Sequence, residues 1–101
     1  MLDINKVADG SKLTIGLVGR LDTTTAPDLE KEVKENLDGV TELVFDMKDL
    51  EYISSAGLRV LLSAQKVMNK SGKMTVCNVS DSINEIFEVT GFSDILTIIW
   101  Y

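Results

Sequence analysis

The stretch "LVFDMKDLEYISSAGLRVLL", residues 43–62, decides the fold of this chain. It opens on Leu43, Val44 and Phe45 in succession, a run that suits a central strand covered on both faces. It closes on Val60 and Leu61, which continue at helical spacing through Ala64, Val67 and Met68, so a helix is expected from Ala56 to about Asn69, with Gly72 as its stop. Between the two stand Ser54, Ser55, Ala56 and Gly57. A strand that passes directly into a helix is half of a crossover unit, the connection that parallel strands require.

Working outward from this joint, "LDINKV" and "KLTIGLVG" flank the turn "ADGS", and Leu13, Ile15 and Leu17 alternate as in a half-buried strand. An antiparallel hairpin is expected there. After "GRLD", Thr25 and Asp28 have the layout of a capping box, and Pro27 is tolerated in a first helical turn. The helix that follows places Ala26, Leu29, Val33 and Leu37 on one face and Glu30, Lys31, Lys34, Glu35 and Asp38 on the rest. Beyond residue 72, "KMTVCNV" reads as a strand. Ser80 or Asp81 caps a third helix with Ile83, Ile86 and Phe87 inward, Gly91 ends it, and "LTIIWY" is a last strand. The sum is an α/β domain over residues 1–101, with a mixed, mostly parallel five-stranded sheet, flanking helices and an antiparallel N-terminal edge strand.

Composition narrows the functions. A chain of 101 residues, 45% of them hydrophobic, fits one soluble globular unit. Sixteen acidic against ten basic residues give a net charge of −6, which disfavours nucleic acid and anionic membrane surfaces as partners. No apolar run is long enough to span a bilayer, and the start "MLDINKVADG" lacks the features of a signal peptide. The single cysteine, Cys77, reads as a small buried hydrophobe in a cytoplasmic setting. With no histidine, the commonest general base and zinc ligand are missing, and the seven glycines form no phosphate-binding loop. No catalytic residue, metal or cofactor is therefore expected. Asp22, Asp46 and Asp49, near predicted strand ends, would be the acids or metal ligands of an enzymatic alternative.

The paired serines invite two readings. Serine is a preferred N-cap, worth about 1 kcal/mol. One cap needs one hydroxyl, so either Ser54 or Ser55 fills that role and the other is left over. Ala56 and Gly57 leave the backbone open to something approaching from outside. A phosphate on a serine at this point would be favoured by the partial positive charge of a helix N-terminus. Arg59 either reaches such a phosphate or is a solvated surface charge. Leu58 is either an exposed apolar anchor for a partner or a core residue.

These same residues resemble the STAS domains, and within them the bacterial anti-sigma factor antagonists. The likeness runs over essentially the whole chain: "GRLD" with Asp22, residues 43–62 as quoted, and "GF" at Gly91 and Phe92. It implies a non-enzymatic partner switch. The unmodified protein would bind an anti-sigma factor that is itself a serine kinase and so free a sigma factor; phosphorylation would release it, and a PP2C-type phosphatase would reset it. Aligned on the glycine, the phosphorylated serine is Ser55, with Ser54 as second choice. Asp22, Thr24, Ser54, Ser55, Gly57, Leu58 and Arg59 would form the partner surface. A non-switching accessory or scaffolding subunit of a signalling or lipid-transport complex is the alternative, with the serines merely capping. This chain departs from the family in having Ser54 where aspartate is common and Arg59 where glycine is frequent. Members commonly carry a helix beyond the last strand, whereas this chain stops at Tyr101; the apolar "IIWY" end would then be expected to be partly uncovered, in a monomer or weak homodimer.

Overall fold

The computed structural model describes residues 2–99. Among these the elements run β1 (Leu2–Asp9), β2 (Lys12–Leu21), α1 (Ala26–Asn36), β3 (Glu42–Ile53), α2 (Ser55–Ser71), β4 (Lys73–Cys77), α3 (Asp81–Thr90), a short 3-10 turn (Phe92–Asp94) and β5 (Ile98–Ile99). The strands lie side by side in the order in which they occur in the chain. The β1/β2 pair is antiparallel and every later pair is parallel. The hairpin closes between paired Asp9 and Lys12, where Gly10 takes a φ of 62° that the two-residue turn needs and that other residues avoid.

Strictly sequential strand order has a consequence. Each right-handed crossover steps in the same direction across the sheet, so α1, α2 and α3 all fall on one face. Their buried residues share a single core cluster with the inward positions of the strands: Leu13, Ile15 and Leu17 of β2, Leu43, Phe45 and Met47 of β3, and Met74 and Val76 of β4. The reading of β3 as covered on both faces is thereby corrected. Its first half alternates between buried and half-exposed positions, with Val44 and Asp46 on the uncovered side. Helix faces follow the predicted spacing in α1, where Ala26, Leu29 and Val33 are buried. In α2 the inward stripe holds Leu58, Val60, Leu61, Ala64 and Met68, while Val67 is 45% exposed and lies outside it. The last strand starts at Ile98 rather than at Leu96, which is buried in the bend that follows the 3-10 turn; Trp100 and Tyr101, the end of the expected strand, lie outside the described residues.

One irregularity positions the functional end of the sheet. Between Gly16↔Asp46 and Val18↔Asp49, and again between Gly19↔Leu50 and Arg20↔Tyr52, β3 gains a residue on β2. The bulges change the inward spacing of β3 from two to three, so that Met47, Leu50 and Ile53 all point into the core. They end the strand with Ile53 beside Leu21, and Ser54 N–H then donates to the Leu21 carbonyl at 2.8 Å.

Candidate functional site

At the C-terminal ends of β2 and β3 the chain forms two turns, 22–25 and 54–57, which start α1 and α2. In the first, Asp22 does the capping expected of Thr25. Its carbonyl accepts from Ala26 N at 2.8 Å, and its Oδ1 accepts from the backbone N–H of Thr24 at 3.0 Å and of Thr25 at 3.2 Å. The Thr24 hydroxyl donates to the same oxygen at 2.7 Å. This hydroxyl is the chief cause that holds the Asp22 carboxyl below the ordinary carboxylate range; partial desolvation opposes it and the two backbone donors add to it. Thr25 makes no side-chain cap bond and sits in helical backbone conformation. Its buried hydroxyl instead ties the turn down, accepting from Asp22 N at 2.8 Å and donating to the Arg20 carbonyl at 2.8 Å. The capping box predicted from Thr25 and Asp28 is thus replaced by an aspartate turn three residues earlier.

In the second turn the division of labour between the serines is plain. Ser54 is the N-cap, with extended backbone and an Oγ that accepts from Gly57 N at a long 3.5 Å. Ser55 is the first helical residue, exposed, and its hydroxyl has no hydrogen-bond partner among the described residues. Gly57 is buried and faces inward: a Cβ there would lie 2.6 Å from Leu21 Cγ and 2.9 Å from Ile53 Cγ1. The glycine therefore serves close packing of α2 on the strand ends rather than approach from outside. Leu58 is 4% exposed and belongs to the core, which corrects its reading as an exposed anchor. Both residues shape the surface from beneath without presenting a side chain to it.

Arg59, by contrast, is exposed and makes no ion pair with the described residues. With Thr23, Pro27, Glu30, Ala56 and Ser63 it lines a shallow cleft of about 180 Å³ between α1 and α2. On the other side of the serine turn the sequence reading missed a pair. The Arg20 guanidinium lies 4.5 Å from the centroid of the Tyr52 ring, and its Nε is 3.9 Å from Asp22 Oδ2. The two residues face each other only because of the second bulge, which no single-strand pattern reveals. The available signal was weaker: an arginine two residues before the aspartate and a tyrosine two before the serine.

The three aspartates of the enzymatic alternative are not gathered into one site, although Asp46 and Asp49 line the same hollow. Asp22 is engaged in its own turn, whereas Asp46 accepts from Lys48 N and Asn78 Nδ2, each at 3.0 Å, on the uncovered face of the sheet. Asp49 lies on that face too, beside Lys48, at a hollow of about 210 Å³. Among the described residues no three histidine, cysteine or carboxylate side chains are grouped to hold a metal ion. Cys77, beside Asp46 in the sheet, is buried; burial pushes its thiol up and the Asp46 charge adds to the effect, against Lys12. None of the described helices is long and apolar enough to cross a membrane.

A mixed sheet of this order, with a helix between each parallel pair of strands, is the fold of a STAS domain. Residues 3–100 match the STAS domain family, and the chain belongs to it. BtrV of Bordetella bronchiseptica is 37% identical over 84 residues, covering 81% of this chain and 72% of BtrV. The anti-sigma-B factor antagonist of Staphylococcus aureus is 28% identical over 97 residues, covering 94% of this chain and 90% of that protein. Among solved structures, SpoIIAA of Bacillus in its phosphorylated form matches with a TM-score of 0.76 at 15% identity, covering all of this chain and 91% of that one, a likeness of fold alone.

Proposed function

We propose that this protein is an anti-sigma factor antagonist. Unmodified, it binds an anti-sigma factor that is also a serine kinase, so that a sigma factor is set free. Phosphorylation of Ser55 ends the binding, and a PP2C-type phosphatase restores it. In this reading residues 1–101 act as one cytoplasmic STAS unit, a regulator rather than a catalyst. The relative from Staphylococcus aureus is an anti-sigma-B factor antagonist, and SpoIIAA occurs in phosphorylated and unphosphorylated forms; both support the reading.

The observation that carries it is the contrast between the two serines. The Ser54 hydroxyl is engaged in capping, while that of Ser55 stands exposed and unpaired among the described residues at the start of a 17-residue helix. A phosphate there adds about −1.5 to −2 charges. Against one carboxylate about 6 Å away, at an effective dielectric of about 20 to 80, the repulsion is about 1 to 6 kcal/mol. Since about 1.4 kcal/mol is tenfold in affinity, even the low end is measurable. The docking surface consists of Asp22, Thr24, Ser54, Ser55 and Arg59, extended by the stacked Arg20 and Tyr52, with Gly57 and Leu58 supporting it from below.

The test is incubation with the anti-sigma kinase and ATP, followed by peptide mapping. Phosphate on Ser55 is expected. Modification of Ser54 instead, or of neither while the kinase is active, contradicts the assignment. If Ser55→Asp binds as well as the parent, the capping-only role of an accessory subunit replaces the switch.

A further inference from the structure

We infer that Arg59 is a built-in counter-charge for phosphorylated Ser55, a positioning residue that holds the phosphate against α2 and limits how strongly phosphorylation repels a partner. This inference rests on the reading of Ser55 as the modified residue. Arg59 follows Ser55 by four positions along α2, a spacing that puts their Cβ atoms about 5 to 6 Å apart on one helix surface. The order also suits the pair, because an anion is better placed N-terminal to its cation at this spacing. A guanidinium offers a planar fork of donors that matches phosphate oxygens two at a time.

What makes Arg59 available is that the acid sharing its cleft, and the aspartate of the neighbouring turn, are already engaged. Glu30, across the cleft on α1, is paired with Lys34 at 2.9 Å. Asp22 is held by Thr24 and Thr25, with Arg20 at 3.9 Å. Arg59 itself is exposed and has no carboxylate within ion-pair distance among the described residues. In the unmodified protein it is a cation without a partner among the described residues, one turn from a hydroxyl that is also without one among them. Phosphorylation supplies the partner, and the arginine turns from the cleft toward it. Part of the new charge is then neutralised within the chain and the remainder acts on the docking partner.

The experiment installs phosphoserine at position 55 during synthesis, so that no kinase is required, and follows its second ionisation by phosphorus NMR. In the parent the phosphate is expected to ionise about half a pH unit lower than in Arg59→Gln, the shift a single cation gives at this range. Arg59→Lys should keep most of the shift, high salt should shrink it, and Lys66→Gln, farther along α2, should leave it unchanged. Identical titrations in the parent and Arg59→Gln overturn the inference, as does an equal effect of Lys66→Gln, which would mark a general charge effect. A circular dichroism melt of each variant establishes that α2 is intact. Failure of the kinase to modify Ser55 would remove the reading on which the inference rests, while this titration still decides what Arg59 does to a phosphate.

Discussion

Asp22 and Thr25 illustrate how two side chains that look alike in a turn take different work. The carboxylate gathers donors and the threonine hydroxyl, 7% exposed as a residue, bridges the strand end to the turn. Thr25→Val keeps the shape but leaves the Arg20 carbonyl and the Asp22 N–H without that bond, so we expect a loss of about 1 to 3 kcal/mol in urea unfolding. For Asp22 the effect is one of pH. A carboxyl whose folded value lies below its unfolded one stabilises at pH above about 3.9 and loses that contribution as pH falls through the folded value. Urea midpoints between about pH 5 and pH 2 should therefore fall more steeply in the parent than in Asp22→Asn. Equal slopes would show that the Thr24 and Thr25 donors do not favour the charged form. That Asp22 mattered was legible in "GRLD"; that it, rather than Thr25, caps α1 was not, because serine, threonine and aspartate are near-equivalent caps and only backbone conformation separates them.

In α2 the glycine gives the sharpest contrast between local propensity and packing. Gly57→Ala in a solvent-exposed helix would gain up to about 1 kcal/mol. Here the added methyl would meet Leu21 and Ile53 at 2.6 and 2.9 Å, so we expect a net loss of about 1 to 3 kcal/mol instead. A thermal melt gives the sign directly, and a raised midpoint would contradict the close packing. Ser54→Ala should cost less than about 1 kcal/mol, since its cap bond is long at 3.5 Å, and Ser55→Ala almost nothing. The helix itself was readable from spacing, and so was its inward stripe apart from two positions. Leu58 continues that stripe three residues before Leu61, a clue available in the sequence but masked by its closeness to the serines. Val67 fits the same periodicity as Met68, and only the direction of the sheet decides that Met68 is buried and Val67 is not.

Across the sheet, what sequence reading supplied was the list and type of elements; the arrangement came from relations between strands. Alternation in β2 and the strand–helix joint at residues 43–62 indicated a parallel crossover. They did not reveal that strict sequential order places all the helices on one face and leaves Val44, Asp46 and Lys48 on the other. Nor did they reveal the two bulges of β3, because an inserted residue is visible only against the register of its neighbour. Those bulges set Tyr52 opposite Arg20 and bring Ser54 to the end of β2, so the candidate surface is a product of tertiary register. If the stacked pair belongs to the docking surface, Tyr52→Ala should weaken partner binding by about 1 kcal/mol or more while leaving the melt nearly unchanged.

The central claim is that one exposed hydroxyl at the start of α2 governs whether a partner can dock. Its most direct test is the affinity of an anti-sigma factor for this protein, measured by calorimetry, with Ser55 unmodified and with Ser55 phosphorylated. The expected result is tight binding in the first case and a loss of about tenfold or more in the second. Equal affinities for the two forms would contradict the account.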